Sequence, residues 1–261
     1  MYYLCGTILL IMGKIVTVAN NKGGVAKTTT VIALAQAWSE KGLQILAVDL
    51  DSQGNLTSVL SPIESDKHPR TIREALVERK DLPIEEINEN LHLVPATLSL
   101  SNIENEITQF YRESVLKKLL DGVKDNYDII IIDCPPALGL LTFSALIASQ
   151  ALVMPVMADS LSYAGMTMVA ELASRVTEYN PELKLKGVVV TKFKSDKISN
   201  FYLKTIREQT GPAFVETVVH EATKIKQATA MKENIYSFDP TGRATQDYLL
   251  VADILEDRIL G

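Results

Sequence analysis

Cysteine is nearly absent from this 261-residue chain: Cys5 and Cys134 stand far apart, with no pairing logic. That excludes a disulfide framework and a cysteine-built zinc site, and it suits a reducing compartment. The three histidines, His68, His92 and His220, have no metal or triad spacing, and no Ser or Cys stands in a nucleophile context. Basic excess is missing too. A net charge of −6 gives no global reason to expect nucleic-acid binding, so such a function must rest on a local patch. No apolar run approaches the ~20 residues of a membrane span. The run Thr7–Met12 is short, and "MYYLCGTILLIMGK" lacks the basic n-region of a secretory signal. Residues 1–12 are read as an extension outside the fold, and 13–261 as one domain, since no linker, repeat or low-complexity tract divides them. The expectation is a soluble, cytoplasmic protein.

What is present is alternation. Strand-like apolar runs at 14–19, 44–49, 91–96, 127–133, 151–156 and 185–191 are separated by helical patterns at 28–42, 71–78, 98–120, 139–148, 160–179 and 198–209. A short strand near 214–219 and a helix at 244–258 complete the series. In helix 28–42, Val31, Leu34, Ala35 and Trp38 share a face, and Gly42 stands where a C-terminal cap belongs. "YDIIIID" (127–133) is continuously apolar, as in a parallel strand covered on both sides. The pattern predicts an α/β fold, a doubly wound, mostly parallel sheet with helices on both faces.

In such sheets, ligands bind beyond the carboxyl ends of the strands. Three polar clusters fall there. "NNKGGVAKTTT" (20–30) joins strand 14–19 to its helix. Successive N–H groups of Gly23, Gly24, Val25 and Ala26 can wrap an anion at a helix N-terminus, and Lys27 can neutralise phosphate charge. The hydroxyl of Thr28, followed by Thr29, suits a magnesium ion. "VDLDSQGN" (48–55) offers Asp49 and Asp51, and "IIIIDCPP" offers Asp133. Carboxylates at those strand ends suit a metal's water shell and the orientation of an attacking water. Cys134, beside Asp133, is read as a packing residue.

"KGGVAKTTT", "VDLDSQGNLT", "IIIIDCPPALGLLT", "MPV", "TVV" and "YSFDPTGRATQDYL" together resemble the ParA/Soj partition ATPases, the deviant-Walker branch that also contains MinD. The resemblance covers nearly the whole chain from about residue 13. It implies a slow, partner-stimulated ATPase using ATP and Mg²⁺. It also implies an ATP-dependent homodimer in which Lys22 reaches the partner subunit's nucleotide while Lys27 serves its own. By the same likeness, Thr28, Asp49 and Asp133 serve the metal and Asp51 positions the hydrolytic water. Ala26 departs from the family's usual glycine. A positive φ there would cost about 1–2 kcal/mol.

The resemblance further implies non-specific DNA binding on the nucleoid and a ParB-like or other adaptor. Between Pro181 and Arg243, eleven Lys/Arg face seven Asp/Glu, +4 locally, which leaves −10 for the rest of the chain. The candidate DNA contacts are Lys192, Lys194, Lys197, Lys224, Lys226 and Lys232. His220 and Glu221 stand where the family has Pro and Arg. A MinD-like membrane anchor is disfavoured, because the terminal "VADILEDRILG" carries three acids and one base, whereas a lipid-binding face is basic. The remaining alternative is a metabolic P-loop enzyme of related fold.

Overall fold

Seven strands form one sheet in the order β3-β4-β2-β5-β1-β6-β7. The computed structural model describes residues 13–64, 67–107 and 111–261. The reading of residues 1–12 lies outside them. The strands are β1 (Lys14–Val18), β2 (Ile45–Asp49), β3 (Glu85–Asn88), β4 (Leu91–Val94), β5 (Ile129–Asp133), β6 (Ala151–Met157) and β7 (Lys184–Thr191). The helices are α1 (Lys27–Glu40), α2 (Asn55–Leu60), α3 (Ile72–Glu78), α4 (Ile103–Glu106), α5 (Val115–Asp121), α6 (Leu140–Ala148), α7 (Ser160–Val176), α8 (Lys197–Thr210), α9 (Thr223–Met231), α10 (Ile235–Phe238) and α11 (Arg243–Leu260).

All ladders are parallel except β3–β4. Successive side chains leave a strand on opposite faces. Ile130 and Ile132 therefore join Ile15, Leu46, Val48, Leu152 and Val188 in one core, while Ile129 and Ile131 join Val16, Val18, Ile45, Val153 and Val189 in the other. Helices α3, α5, α6 and α7 supply residues to the first core; α1, α2 and α11 supply the second. The four-residue isoleucine run is buried because both faces are covered. Helix α1 is buried well beyond the expected single face, since α11 lies over it and Trp38 Nε1 donates to the Ala252 carbonyl at 3.0 Å.

Three expectations change. The helix expected at 98–120 is interrupted: α4 ends where Ile107 leaves helical geometry (φ −88°, ψ 84°), and a 3-10 turn at Arg112–Ser114 leads into α5. The segment 214–219 is not a strand. Val215 and Val219 donate to β7 carbonyls, but only isolated bridges form, at Phe214 and His220. Finally, "EEIN" supplies an antiparallel edge strand, β3, which its acidic composition had hidden.

The register matters most at the carboxyl ends. Val18 of β1 and Asp49 of β2 both align with Asp133 of β5. The fold thus gathers the phosphate-loop sequence and two acids at one sheet edge.

Candidate active site

The loop after β1 is tied down before it turns. The Asn20 side chain donates to the Pro155 carbonyl of β6 at 2.7 Å and accepts from the Lys22 N–H at 3.0 Å. Helix α7 comes so close that a Cβ at Gly165 would lie 2.7 Å from Asn20 Oδ1. Gly24 then takes φ 80°, Val25 is buried, and Ala26 takes φ 64° as the N-cap of α1.

Ala26 therefore pays the left-handed penalty raised by its sequence. Glycine there relieves about 1–2 kcal/mol of strain and returns about 0.4–1 through a freer unfolded chain. We expect Ala26→Gly to stabilise the protein by about 0.5–1 kcal/mol, a rise of about 1–4 °C in Tm by calorimetry. An unchanged or lower Tm would show that the loop carries no strain at this residue.

The two lysines are held differently. Lys27 is buried beneath the loop, its Nζ donating to the Lys22 carbonyl at 3.1 Å. Burial lowers its pKa against the attraction of Asp133. Lys22 is folded back onto its own subunit: Nζ lies 2.9 and 3.2 Å from the Asp159 carboxylate oxygens and 3.0 Å from Ser162 Oγ. Burial of Asp159 raises its pKa, but the Ser162 N–H and Lys22 outweigh this and hold the carboxyl below its usual range.

The acids divide by partner. Both Asp49 oxygens are committed, Oδ1 to the Asp51 N–H at 3.0 Å and Oδ2 to the Thr57 N–H and hydroxyl at 2.9 and 2.8 Å. Asp133 Oδ2 accepts from the Thr28 hydroxyl at 2.6 Å, while its Oδ1 is buried with no partner among the described residues. Burial raises both carboxyls, Asp49 to about 7, and the facing Asp49 adds to the rise at Asp133. A buried carboxylate oxygen without a partner, beside a threonine hydroxyl, is a hard oxygen pair that fits a magnesium ion. Asp51 is partly exposed at the rim, accepting from the Gln53 N–H at 3.0 Å. Cys134 is fully buried, and burial pushes its thiol up, away from thiolate chemistry.

The six basic candidates are dispersed. Lys192 closes over the phosphate loop, donating to the Gly24 carbonyl at 2.6 Å. Lys194 and Lys226 flank Glu221, at 2.8 and 3.6 Å. Lys197 is exposed at the start of α8, and Lys224 on α9 lies 5.5 Å from the centre of the Phe238 ring. Lys232, at the end of α9, reaches the Ser61 carbonyl at 3.3 Å and lies away from the others.

Asp159 and Ser162 were absent from the sequence reading, although Asp159 is another strand-end acid ahead of a helix. Thr57, which ties Asp49 to the Ala96 N–H, and the His220–Asp247 pair were missed as well, since their partners are 39 and 27 residues away.

A strand, a glycine-containing loop, a lysine-threonine helix start and acids on the two neighbouring strand ends are an arrangement that fits a nucleoside triphosphate. The sequence profile of the AAA domain family matches residues 13–185. The chain is 36% identical to the sporulation initiation inhibitor protein Soj of Bacillus subtilis, over 92% of this chain and 97% of that one. It is 33% identical to the chromosome partitioning protein ParA of Myxococcus xanthus, over 95% and 89%. A crystal structure described as cobyrinic acid a,c-diamide synthase of Mycobacterium smegmatis, with a bound ATP analogue and magnesium, superimposes with a TM-score of 0.80 at 30% identity, covering 92% and 93%. With the two-lysine loop intact and the likeness running nearly end to end, the chain belongs to the ParA/Soj partition ATPases, the deviant-Walker branch of the P-loop proteins.

Proposed function

We propose that this protein is an ATP-switched dimer that binds DNA without sequence preference and segregates or positions a cargo. The observation that carries the reading is the likeness to a chromosome partitioning ParA across nearly the full length of both chains. The site chemistry agrees with it. Lys27 and the N–H groups of residues 23–26 neutralise and orient the phosphates, with Thr28 and Thr29 at the helix start. Thr28 and Asp133 hold magnesium, which supplies charge neutralisation when bound. Asp49, which accepts from the Asp51 N–H and from Thr57, supports the metal and holds the Asp51 loop, and Asp51 orients the attacking water. Lys22 leaves Asp159 to reach the partner subunit's phosphates, so dimerisation reports the γ-phosphate. Hydrolysis is slow until an adaptor, ParB-like or otherwise, stimulates it, and the ATP dimer resides on the nucleoid.

Among the described residues no helix is long and apolar enough to cross a membrane. Duplex DNA is the expected surface, because the segment from Pro181 to Arg243 carries a local charge of +4 and a dimer presents that segment twice. Fluorescence anisotropy of a random duplex tests this. Binding should require ATP rather than ADP and weaken on the order of 100-fold between 50 and 200 mM salt, as about four neutralised phosphates imply. Lys224→Ala should flatten that slope and leave ATP affinity unchanged. Binding to liposomes instead would assign a membrane-associated role, and binding to neither surface would favour a metabolic enzyme.

A further inference from the structure

One titratable pair beside the phosphate loop has no part in the chemistry above. His220 stands at the end of the segment that follows α8, bridged to Phe193, whose ring meets the imidazole edge-on at 5.8 Å. Its backbone N–H and its Nδ1 both lie on Asp247 Oδ2 of α11, at 3.0 and 2.8 Å. The pair is largely buried, with side-chain exposures of 20% and 14%. A carboxylate oxygen only accepts, so Nδ1 carries the hydrogen, and in the neutral form of such a ring Nε2 is the acceptor. Nε2 has no hydrogen bond to any described residue.

His220 lines a cleft that begins at the phosphate loop, with Ala26 and Thr29 on one side and Lys192, Ala222 and Ile225 on the others. Sheet order decides what enters it. The metal end of the site, Thr28 with Asp133 and Asp49, lies toward β5 and β2, on one side of β1. The cleft lies beyond β1 on the other side, where β7 ends and Lys192 crosses to Gly24. A nucleotide held by its β- and γ-phosphates at the metal end therefore extends its nucleoside into this cleft. Ala222 and Ile225 supply apolar contact for a flat ring.

We propose that His220, fixed in the Nδ1–H form by Asp247, selects adenine by accepting a hydrogen bond from its 6-amino group at Nε2. A 6-oxo purine would set its carbonyl oxygen against that same acceptor, leaving two buried acceptors opposed and both unsatisfied. His220 is the specificity-determining residue in this scheme, and Asp247 the positioning residue. The inference rests on the ATP-binding reading above.

The test is calorimetric titration with ATP and with ITP, which carries a 6-oxo group, using the full chain and magnesium. The unmodified protein should prefer ATP by about tenfold or more. His220→Ala should bring the ratio close to one, with the fold checked by circular dichroism, and Asp247→Ala should give an intermediate ratio. In parallel, ¹⁵N-histidine spectra should report an Nδ1–H tautomer for His220 that is lost in Asp247→Ala, a signal that a merely structural pair does not predict. A His220→Ala protein that keeps the original ATP/ITP ratio overturns the proposal, as does an Nε2–H tautomer in the unmodified protein. If the unmodified protein binds neither nucleotide, the ATP-binding reading falls, and the base-reading role falls with it. Equal affinity for both nucleotides sinks only the latter.

Discussion

Lys27→Ala should weaken ATP binding by about 100-fold or more, whereas Asp51→Ala should leave affinity within about twofold and abolish turnover. The contrast follows from where the two side chains stand. Lys27 is buried beneath the loop with its ammonium on the Lys22 carbonyl, so it meets phosphate oxygens without first being stripped of water. Hydrogen bonds between charged groups are worth about 1.5–3 kcal/mol each, and a lysine spanning two phosphates makes two of them. Asp51 is partly exposed at the rim, and its carboxylate accepts from the Gln53 N–H of its own loop. Its removal deprives water of an orienting acceptor and leaves the phosphate cradle intact. Calorimetric titration and phosphate release, on proteins of verified fold, separate the two effects. Normal hydrolysis in Asp51→Ala would transfer the water-positioning role to another group. Tight binding in Lys27→Ala would mean that backbone N–H groups suffice.

The second large effect concerns Lys22. Its ammonium is satisfied within its own subunit, by both oxygens of Asp159 and by Ser162. Reaching a partner subunit's phosphate requires leaving all three. Lys22→Ala should therefore abolish the ATP-dependent dimer altogether, since the group that crosses is gone. Asp159→Asn should do the reverse. Asparagine retains the N-cap acceptor for the Ser162 N–H but loses the charge that detains the lysine. A partly exposed ion pair of this kind is worth about 0.5–1 kcal/mol, so the dimer should tighten about two- to fivefold. Sedimentation velocity with ATP measures both variants. A normal dimer in Lys22→Ala would reduce that lysine to a local surface contact. A dimer lost in Asp159→Asn would show that the carboxylate is needed within the dimer.

Much of this was legible in the sequence because the signals were local. The strands that register beside one another are continuous apolar runs, and the loop lysines, Thr28 and the strand-end acids follow them at once. Ala26 was flagged as a departure, and only its φ of 64° turned the flag into strain. What sequence could not supply was pairing at a distance. Nothing beside Asp49 in the sequence revealed that the Asp51 N–H and Thr57 each bond one of its oxygens. Nothing local in the sequence showed that Lys192 donates across the phosphate loop to the Gly24 carbonyl. The interruption after Ile107 and the bowed segment near 214–219 were hidden for a related reason. Their apolar periodicity reflects burial against the sheet, which does not require unbroken helix or strand. His220 seemed incidental because Asp247 lies a helix away.

The most direct measurement is the solution mass of the Asp51→Ala protein with magnesium and ATP, then with magnesium and ADP. Blocking turnover holds the ATP state long enough to weigh it. Light scattering should show 28.7 kDa with ADP and twice that with ATP. The same mass with both nucleotides, under conditions where each is bound, would contradict an ATP-switched dimer.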